Sequence, residues 1–203
     1  MQIERVKLVY YSPTGTSEKT VKAIQKGINI PYDIIDLTLP ASETKQNNFK
    51  PTDLAIIAVP VYSGRVAPTA ARRIEKLKGE NTPSVLVAVY GNREFEDALV
   101  ELKDITEPNG FKLVAAAAFI GEHSFDAPDT PIATGRPDQE DTKKAIWFGE
   151  QIKSKLSHEP SEPEIPGNRP YREGGKTGGR SPETDPDTCI LCGMYARAVS
   201  YTH

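Results

Sequence analysis

A short, uninterrupted apolar run is the feature that most constrains the fold of this chain. Residues 53–60 read Asp-Leu-Ala-Ile-Ile-Ala-Val-Pro. A strand with one solvated face alternates apolar and polar residues, whereas an unbroken run of this length is typical of a parallel strand covered by helices on both faces. We therefore expect this strand at the centre of a sheet.

The rest of the chain alternates strands and helices around this run. Other strands are predicted at Val6–Tyr11, Tyr32–Leu37, Ser84–Tyr90 and Lys112–Ile120. Helices are predicted over 18–27, 69–78, 94–106 and 139–156, where apolar residues recur at helical spacing. Such alternation, with right-handed crossovers, predicts an α/β fold with a doubly wound parallel sheet and helices on both faces.

The loop after the first strand is rich in hydroxyl groups. It reads Ser-Pro-Thr-Gly-Thr-Ser over residues 12–17 and leads directly into a helix. Its hydroxyls and the free N–H groups of the helix's first turn can face one small volume, which favours a phosphate. The loop lacks the Gly-Lys-Ser/Thr ending of nucleoside triphosphate loops and the three-glycine dinucleotide fingerprint, so it suits a terminal monophosphate. The alternative is a helix that the same Ser and Thr residues merely cap.

Two sets of residues carry a resemblance to a known family. Residues 12–17 resemble the FMN-phosphate loop of flavodoxins. Residues 60–66 and 90–99 are similar to the flavodoxin half of the bacterial flavodoxin–ferredoxin fusion proteins, of the iron–sulfur flavoprotein type, found in anaerobes. The similarity covers about residues 1–157 and includes 119–125. It implies a flavodoxin-like, five-stranded sheet in the order 2-1-3-4-5, with FMN bound noncovalently and exchanging electrons with iron–sulfur clusters in an appended domain.

The loops at the carboxyl ends of the strands are expected to hold FMN, because these ends share one rim of the sheet. Tyr62 offers a flat side chain for the flavin ring, and glycines at 64 and 91 allow close backbone approach. Arg65 and Arg93 are candidates for electrostatic tuning or for contact with a partner. The predicted FMN contacts are Ser12, Thr14, Gly15, Thr16 and Ser17 at the phosphate, with Pro60, Val61, Tyr62, Ser63, Gly64, Tyr90, Gly91, Asn92, Arg93 and His123 around the ring.

Four of the candidate side chains have structural alternatives, namely Tyr62, Arg65, Arg93 and His123. Tyr62 could only cover the edge of the core, and either arginine could be a solvated residue at a helix start. His123, followed by Ser124, would lie at the rim near the flavin, but a histidine after a strand is also a common structural hydrogen-bonding group.

The C-terminal part of the chain departs from the fusion proteins. Residues 158–188 have few sizeable apolar side chains and are predicted to be a flexible linker between the domain of residues 1–157 and a tail over 189–203. A four-iron cluster uses four cysteines spaced C-x2-C-x2-C-x3-C. Here Cys189 and Cys192 are followed by Tyr195 and Val199 at the third and fourth positions. We predict a degenerate or truncated ferredoxin-like tail without a complete iron–sulfur cluster or metal site; the alternative is a labile zinc or a site shared between molecules.

Composition narrows the class of protein further. The formal net charge of −3 over 203 residues gives no reason to expect a nucleic-acid partner. No apolar run approaches the length of a membrane span. With only two cysteines and a charged start, the chain is expected in the cytoplasm.

The sequence thus predicts an FMN-binding electron-transfer protein. Its partner would be a redox protein, either ferredoxin-like or a reductase, or a small-molecule acceptor, and a homo-oligomer is compatible with the sequence. No nucleophile, base and orienting group occur in a consistent arrangement, so no catalytic residue is assigned. Two alternatives stay open: an FMN-dependent NAD(P)H reductase of a quinone or other small acceptor, and a flavodoxin-fold binding module that has lost its flavin.

Overall fold

A computed structural model of the chain describes residues 2–44, 47–158, 160–173 and 185–190. In chain order its elements are β1 (Arg5–Tyr10), α1 (Thr16–Ile28), β2 (Tyr32–Asp36), β3 (Asn48–Phe49), β4 (Asp53–Tyr62), β5 (Arg65–Val66), α2 (Pro68–Ile74), β6 (Lys78–Gly79), β7 (Thr82–Tyr90), α3 (Ala98–Thr106), β8 (Phe111–Ile120) and α4 (Gln139–Leu156). Short 3-10 helices lie at Pro40–Thr44 and Glu107–Asn109.

The five long strands form a parallel sheet in the order β2-β1-β4-β7-β8. Numbered along the chain, this is the predicted order 2-1-3-4-5, and the predicted fold class is confirmed. The short strand β5 pairs with the end of β4 in a hairpin, and β3 pairs with β6 in a separate two-stranded ladder.

The apolar run of β4 is unbroken because its side chains enter two separate cores. Ile56 packs in the layer with α1 and α4, whereas its neighbour Ile57 packs in the layer with α2 and α3. Both side chains are completely buried. Successive residues of a strand point to opposite faces, so a central strand needs apolar residues at every position.

Helices α1 and α4 cross backbone to backbone at two glycines. A Cβ atom placed on Gly149 would lie 2.0 Å from the carbonyl oxygen of Ile24, and one on Gly27 would lie 2.0 Å from that of Ile146. Real Cβ contacts are never this short, so the two helices pack at a separation that only glycine permits.

Two predicted helices are shorter in the structure. Helix α2 ends at Ile74, since Lys78 and Gly79 pair with β3 rather than continuing the helix. Helix α3 starts at Ala98 instead of Glu94, because the preceding turn folds against the β4–β5 hairpin: Glu96 has a φ of 42° and the Asp97 N–H donates to the Gly64 carbonyl. Tertiary contacts override helical periodicity at both ends.

Residues 160–173, which we call the strap, lie along α3. Ile165 packs against the core, and the buried carboxylate of Asp97 accepts hydrogen bonds from the backbone N–H groups of Asn168 (2.8 Å) and Arg172 (2.6 Å). Asp104 on α3 accepts hydrogen bonds from Arg169 and from the Tyr171 hydroxyl. The linker interpretation did not anticipate these contacts, because hydrogen bonds rather than an apolar pattern hold this segment.

The remaining predictions for the C-terminal part fall largely outside the described residues. Residues 174–184 of the predicted linker, and Cys192, Tyr195 and Val199 of the predicted tail, are not among them. Cys189 is described; it is exposed and has no disulfide partner within the described residues. Within the described ranges, no helix is both long and apolar enough to cross a bilayer.

Replacing Asp97 with asparagine should destabilise the native state by about 1–3 kcal/mol, the range for losing a hydrogen bond to a buried charged group. The N–H groups of Arg172 and Asn168 lower the pKa of Asp97 in the folded protein. The contribution of the ionised Asp97 to the free energy of unfolding is therefore complete above the pKa of the unfolded chain, about 3.9. It is lost as the pH falls below that value towards the lower pKa of the folded protein. Urea denaturation as a function of pH should show a shallower acid loss of stability in Asp97→Asn than in wild type. The same change at the exposed Asp129 is the control, and an equal acid loss in Asp97→Asn and wild type would contradict the prediction.

Candidate functional site: a donor-lined cavity at the carboxyl rim of the sheet

The turn between β1 and α1 is built around Gly15 and Ser12. Gly15 has a φ of 79°, in the left-handed region that glycine adopts without strain, and its N–H donates to the Ser12 carbonyl (3.1 Å). The Ser12 hydroxyl oxygen in turn accepts a hydrogen bond from the Glu18 N–H (3.1 Å). Ser12 thus caps one amide of the first helical turn, which is the role that the capping alternative gives to the hydroxyls of this loop.

Two other backbone N–H groups of this turn are not capped by a side chain. The N–H groups of Thr16 and Ser17 have no acceptor within the described part of the chain. The hydroxyls of Thr14 and Thr16 lie 3.2 Å apart, and both residues, with Ser17, line a cavity of about 390 Å³. Free helix amides and hydroxyls around one small volume favour an anion, and capping of the helix by Ser12 does not account for them.

Charged residues that were not predicted as part of the site line the same cavity. They are Lys19, in the first turn of α1, and Arg136, together with the acidic residues Glu122 and Asp126. The Arg136 guanidinium donates to the Asp141 carboxylate and thereby lowers the pKa of Asp141. Arg136 is far from residues 12–17 in the chain, so no local motif connects the two. Its place at the end of the fourth rim loop is the only sequence signal that it could reach this cavity.

A second, larger cavity of about 850 Å³ adjoins the first. The two share the lining residues Val61, Tyr62, Gly91, His123 and Ser124. The second is completed by Ser63, Asn92, Arg93, Phe125, Ile132, Arg172 and Glu173. Each volume lies within the range of about 300–1,000 Å³ that is usual for small-molecule sites.

The β4–β5 hairpin presents Tyr62 at the junction of the two cavities. Ser63 and Gly64 have φ values of 53° and 80°, the pair of left-handed residues that a two-residue hairpin turn requires. Arg65 does not line either cavity. It donates two hydrogen bonds to Glu101 (2.8 and 2.7 Å), and its guanidinium lies 4.4 Å from the centre of the Tyr171 ring. Arg65 therefore anchors the hairpin to α3 and the strap.

The glycines at 64 and 91 leave room for protein side chains. A Cβ on Gly91 would lie 2.3 Å from His123 Cδ2, and one on Gly64 would lie 1.8 Å from Glu96 Oε2. From the sequence, both glycines are expected to allow close approach to a ligand ring. His123 Nδ1 accepts a hydrogen bond from the Phe125 N–H (3.0 Å), so a neutral His123 carries its proton on Nε2.

Most of the residues predicted to contact FMN meet at this rim. Around the first cavity lie Ser12, Thr14, Thr16, Ser17, Pro60, Val61, Tyr62, Tyr90, Gly91 and His123, and around the second lie Ser63, Asn92 and Arg93. Gly15 and Gly64 line neither cavity and instead shape the two loops. The described residues contain no group of three or more side chains suited to hold a metal ion.

The sheet order, with helices on both faces, defines a flavodoxin-like fold. Flavodoxin 1 from Bacillus cereus has a similar structure, with a TM-score of 0.51 and 11% identity over 74% of this chain and 97% of that one. A flavodoxin from Streptococcus pneumoniae TIGR4 gives 0.50 and 14%, over 74% and 99% of the two chains. A short-chain flavodoxin associated with a non-canonical PDU bacterial microcompartment gives a TM-score of 0.50 and 10% identity, over 78% and 100% of the two chains. No protein-family model and no curated protein matches the sequence. Because the identities to the three flavodoxins are only 10–14%, these likenesses establish the fold alone.

Proposed function

We propose that this protein binds FMN noncovalently and serves as an electron carrier. The observation that supports this is the pairing of two adjoining cavities, one lined by unpaired helix amides and hydroxyls and the other by aromatic side chains. The first suits a phosphate and the second a planar ring. A molecule with a terminal phosphate on a flexible chain and a flat ring at its other end fits both.

The chain's own groups divide the work of binding. The N–H groups of Thr16 and Ser17, with the hydroxyls of Thr14 and Thr16, would donate to phosphate oxygens. Lys19 would offset part of the phosphate charge, whereas Arg136 is already paired with Asp141. Tyr62 would cover the ring at the junction of the cavities. When bound, FMN supplies the one- and two-electron redox chemistry.

The size of the second cavity favours a small-molecule redox partner alongside a protein one. Its 850 Å³ lies near the upper end of the range of about 300–1,000 Å³ for a complete small-molecule site, and the flavin ring would fill only part of it. A second flat molecule would then have room beside the flavin ring. This supports the alternative of an FMN-dependent reductase acting on a small acceptor.

An absorption spectrum of the purified protein tests the main proposal. After incubation with excess FMN and desalting, the protein should keep the visible bands of oxidised flavin. Riboflavin, which has the same ring but no phosphate, should be lost in the same procedure. Iron and zinc assays on that sample should find neither metal at one equivalent per chain. A colourless protein after incubation with FMN would instead favour a binding module without flavin.

A further inference from the structure

Two arginines from distant parts of the chain meet at the edge of the second cavity. Arg93 follows β7, and Arg172 lies in the strap. Arg93 Nη2 donates to Glu96 Oε1 (2.8 Å), and Arg172 Nη1 donates to the same oxygen. Both arginines line the cavity, with side chains that are 58% and 63% exposed.

Glu96 cannot satisfy both guanidinium groups. Its side chain is only 11% exposed, and its other oxygen, Oε2, is buried against Gly64 with no hydrogen-bond partner in the described residues. One carboxylate oxygen therefore holds two cations, and within the described residues each guanidinium leaves most of its five N–H donors without an acceptor. Arg65 differs in this respect, because its guanidinium makes a two-bond pair with Glu101 and lies outside the cavity.

Three aromatic side chains line the same cavity as the two arginines. Tyr62 and Phe125 are exposed, and the Phe125 ring is 5.1 Å from that of His123. All three line the second cavity. A flat molecule that contacted these rings would place a substituent within reach of the cavity edge, where the free guanidinium donors lie.

We propose that Arg93 and Arg172 form a binding site for the anionic group of a second, flat small molecule that occupies this cavity. The group would be a sulfonate, carboxylate or phosphate, which arginine binds through paired N–H donors. Glu96 is a positioning residue that holds the two guanidinium groups together. This inference rests on the proposed function only for the role of the molecule, which would be the electron donor or acceptor of the flavin.

Naphthalene-2-sulfonate and its neutral analogue naphthalene-2-sulfonamide are suitable probes, because they share a flat ring and differ in charge. Calorimetric titration of protein incubated with FMN and desalted should give about tenfold tighter binding of the sulfonate. The double variant Arg93→Gln/Arg172→Gln should lose this preference. Arg172 is anchored to Asp97 through its backbone N–H, so the strap contact does not depend on the side chain. Equal affinities of wild type for the two probes would overturn the proposal.

A matched control separates a local site from general charge. The variant Lys112→Gln/Lys153→Gln removes the same charge from two exposed lysines, one at the amino end of β8 and one in the last turn of α4, whereas the cavities lie at the carboxyl ends of the strands. It should keep the sulfonate preference, and an equal loss in both double variants would contradict a local site.

Glu96→Gln tests the assigned role of the carboxylate. Because Glu96 holds the two guanidinium groups together, its neutral replacement should bind the sulfonate about threefold or more weakly than wild type does. Unchanged or tighter binding would overturn the positioning role. The flavin absorbance of the same samples keeps the two proposals distinct. Sulfonate preference without retained flavin would overturn FMN binding and leave the arginine site standing, whereas retained flavin without that preference would overturn the arginine site alone.

Discussion

Replacing Thr14 and Thr16 together with alanine should weaken FMN binding by roughly 1–3 kcal/mol for each hydroxyl, or about thirtyfold or more in Kd. The two hydroxyls lie 3.2 Å apart and line the cavity at the start of α1. Both are replaced together so that no hydroxyl is left without its present hydrogen-bonding neighbour. Since neither accepts a hydrogen bond from an amide of the helix in the described structure, α1 should keep its stability.

Titrations followed by quenching of flavin fluorescence would measure this effect, with FMN and riboflavin compared in each variant. The affinity for riboflavin should not change, because riboflavin has no phosphate for the hydroxyls to bind. Thr142→Ala is the matched control, since Thr142 is also in the first turn of a helix and its hydroxyl donates to the Asp138 carbonyl outside this cavity. Unchanged FMN affinity in the double variant would remove the phosphate from this loop.

Gly149→Ala should destabilise the protein by about 1–3 kcal/mol or more, the usual cost of overpacking a tight interface. A new methyl group would meet the Ile24 carbonyl oxygen at 2.0 Å, and that oxygen belongs to helical backbone that cannot rotate away. The sign is informative, because glycine to alanine inside a helix ordinarily stabilises by about 0.5–1 kcal/mol. Urea denaturation would measure the change in the free energy of unfolding.

The exposed position Gln151, two residues further along α4, provides the control for Gly149→Ala. Gln151→Ala should be close to neutral. The double variant Gly27→Ala/Gly149→Ala should lose less stability than the sum of the single variants, since one separation of the helices relieves both contacts. A stabilised Gly149→Ala would mean that α1 and α4 do not pack this closely.

The sequence revealed the sheet and the hydroxyl loop because both depend on local patterns. The run at 53–60 identified the central strand, and residues 12–17 marked a turn at its neighbour's carboxyl end. The turn before α3 was predicted as helix because Phe95 continues the apolar spacing, but the left-handed φ of Glu96 follows from contact with the hairpin. No local pattern carries that information.

The sequence also contained no clear indication of the site residues that come from distant parts of the chain. Arg136 and Arg172 reach the two cavities through a long loop and the strap, and neither belongs to a recognisable motif. The strap is held by backbone N–H groups on a buried carboxylate, Asp97. An aspartate at a helix start gives no sign in sequence that its partners lie some 70 residues away, as the separation of 71 positions to Asn168 shows.

The adjacent residues Glu96 and Asp97 join three parts of the rim. The Asp97 N–H holds the hairpin at Gly64 while its carboxylate holds the strap, and Glu96 contacts Gly64 while binding an arginine from each side. The hairpin that carries Tyr62 and the C-terminal segment are thus mechanically coupled through two side chains. A substitution in the strap would therefore change the position of the hairpin at the junction of the cavities. The chain downstream of α4 thus helps to set the shape of a site to which it contributes few contacts.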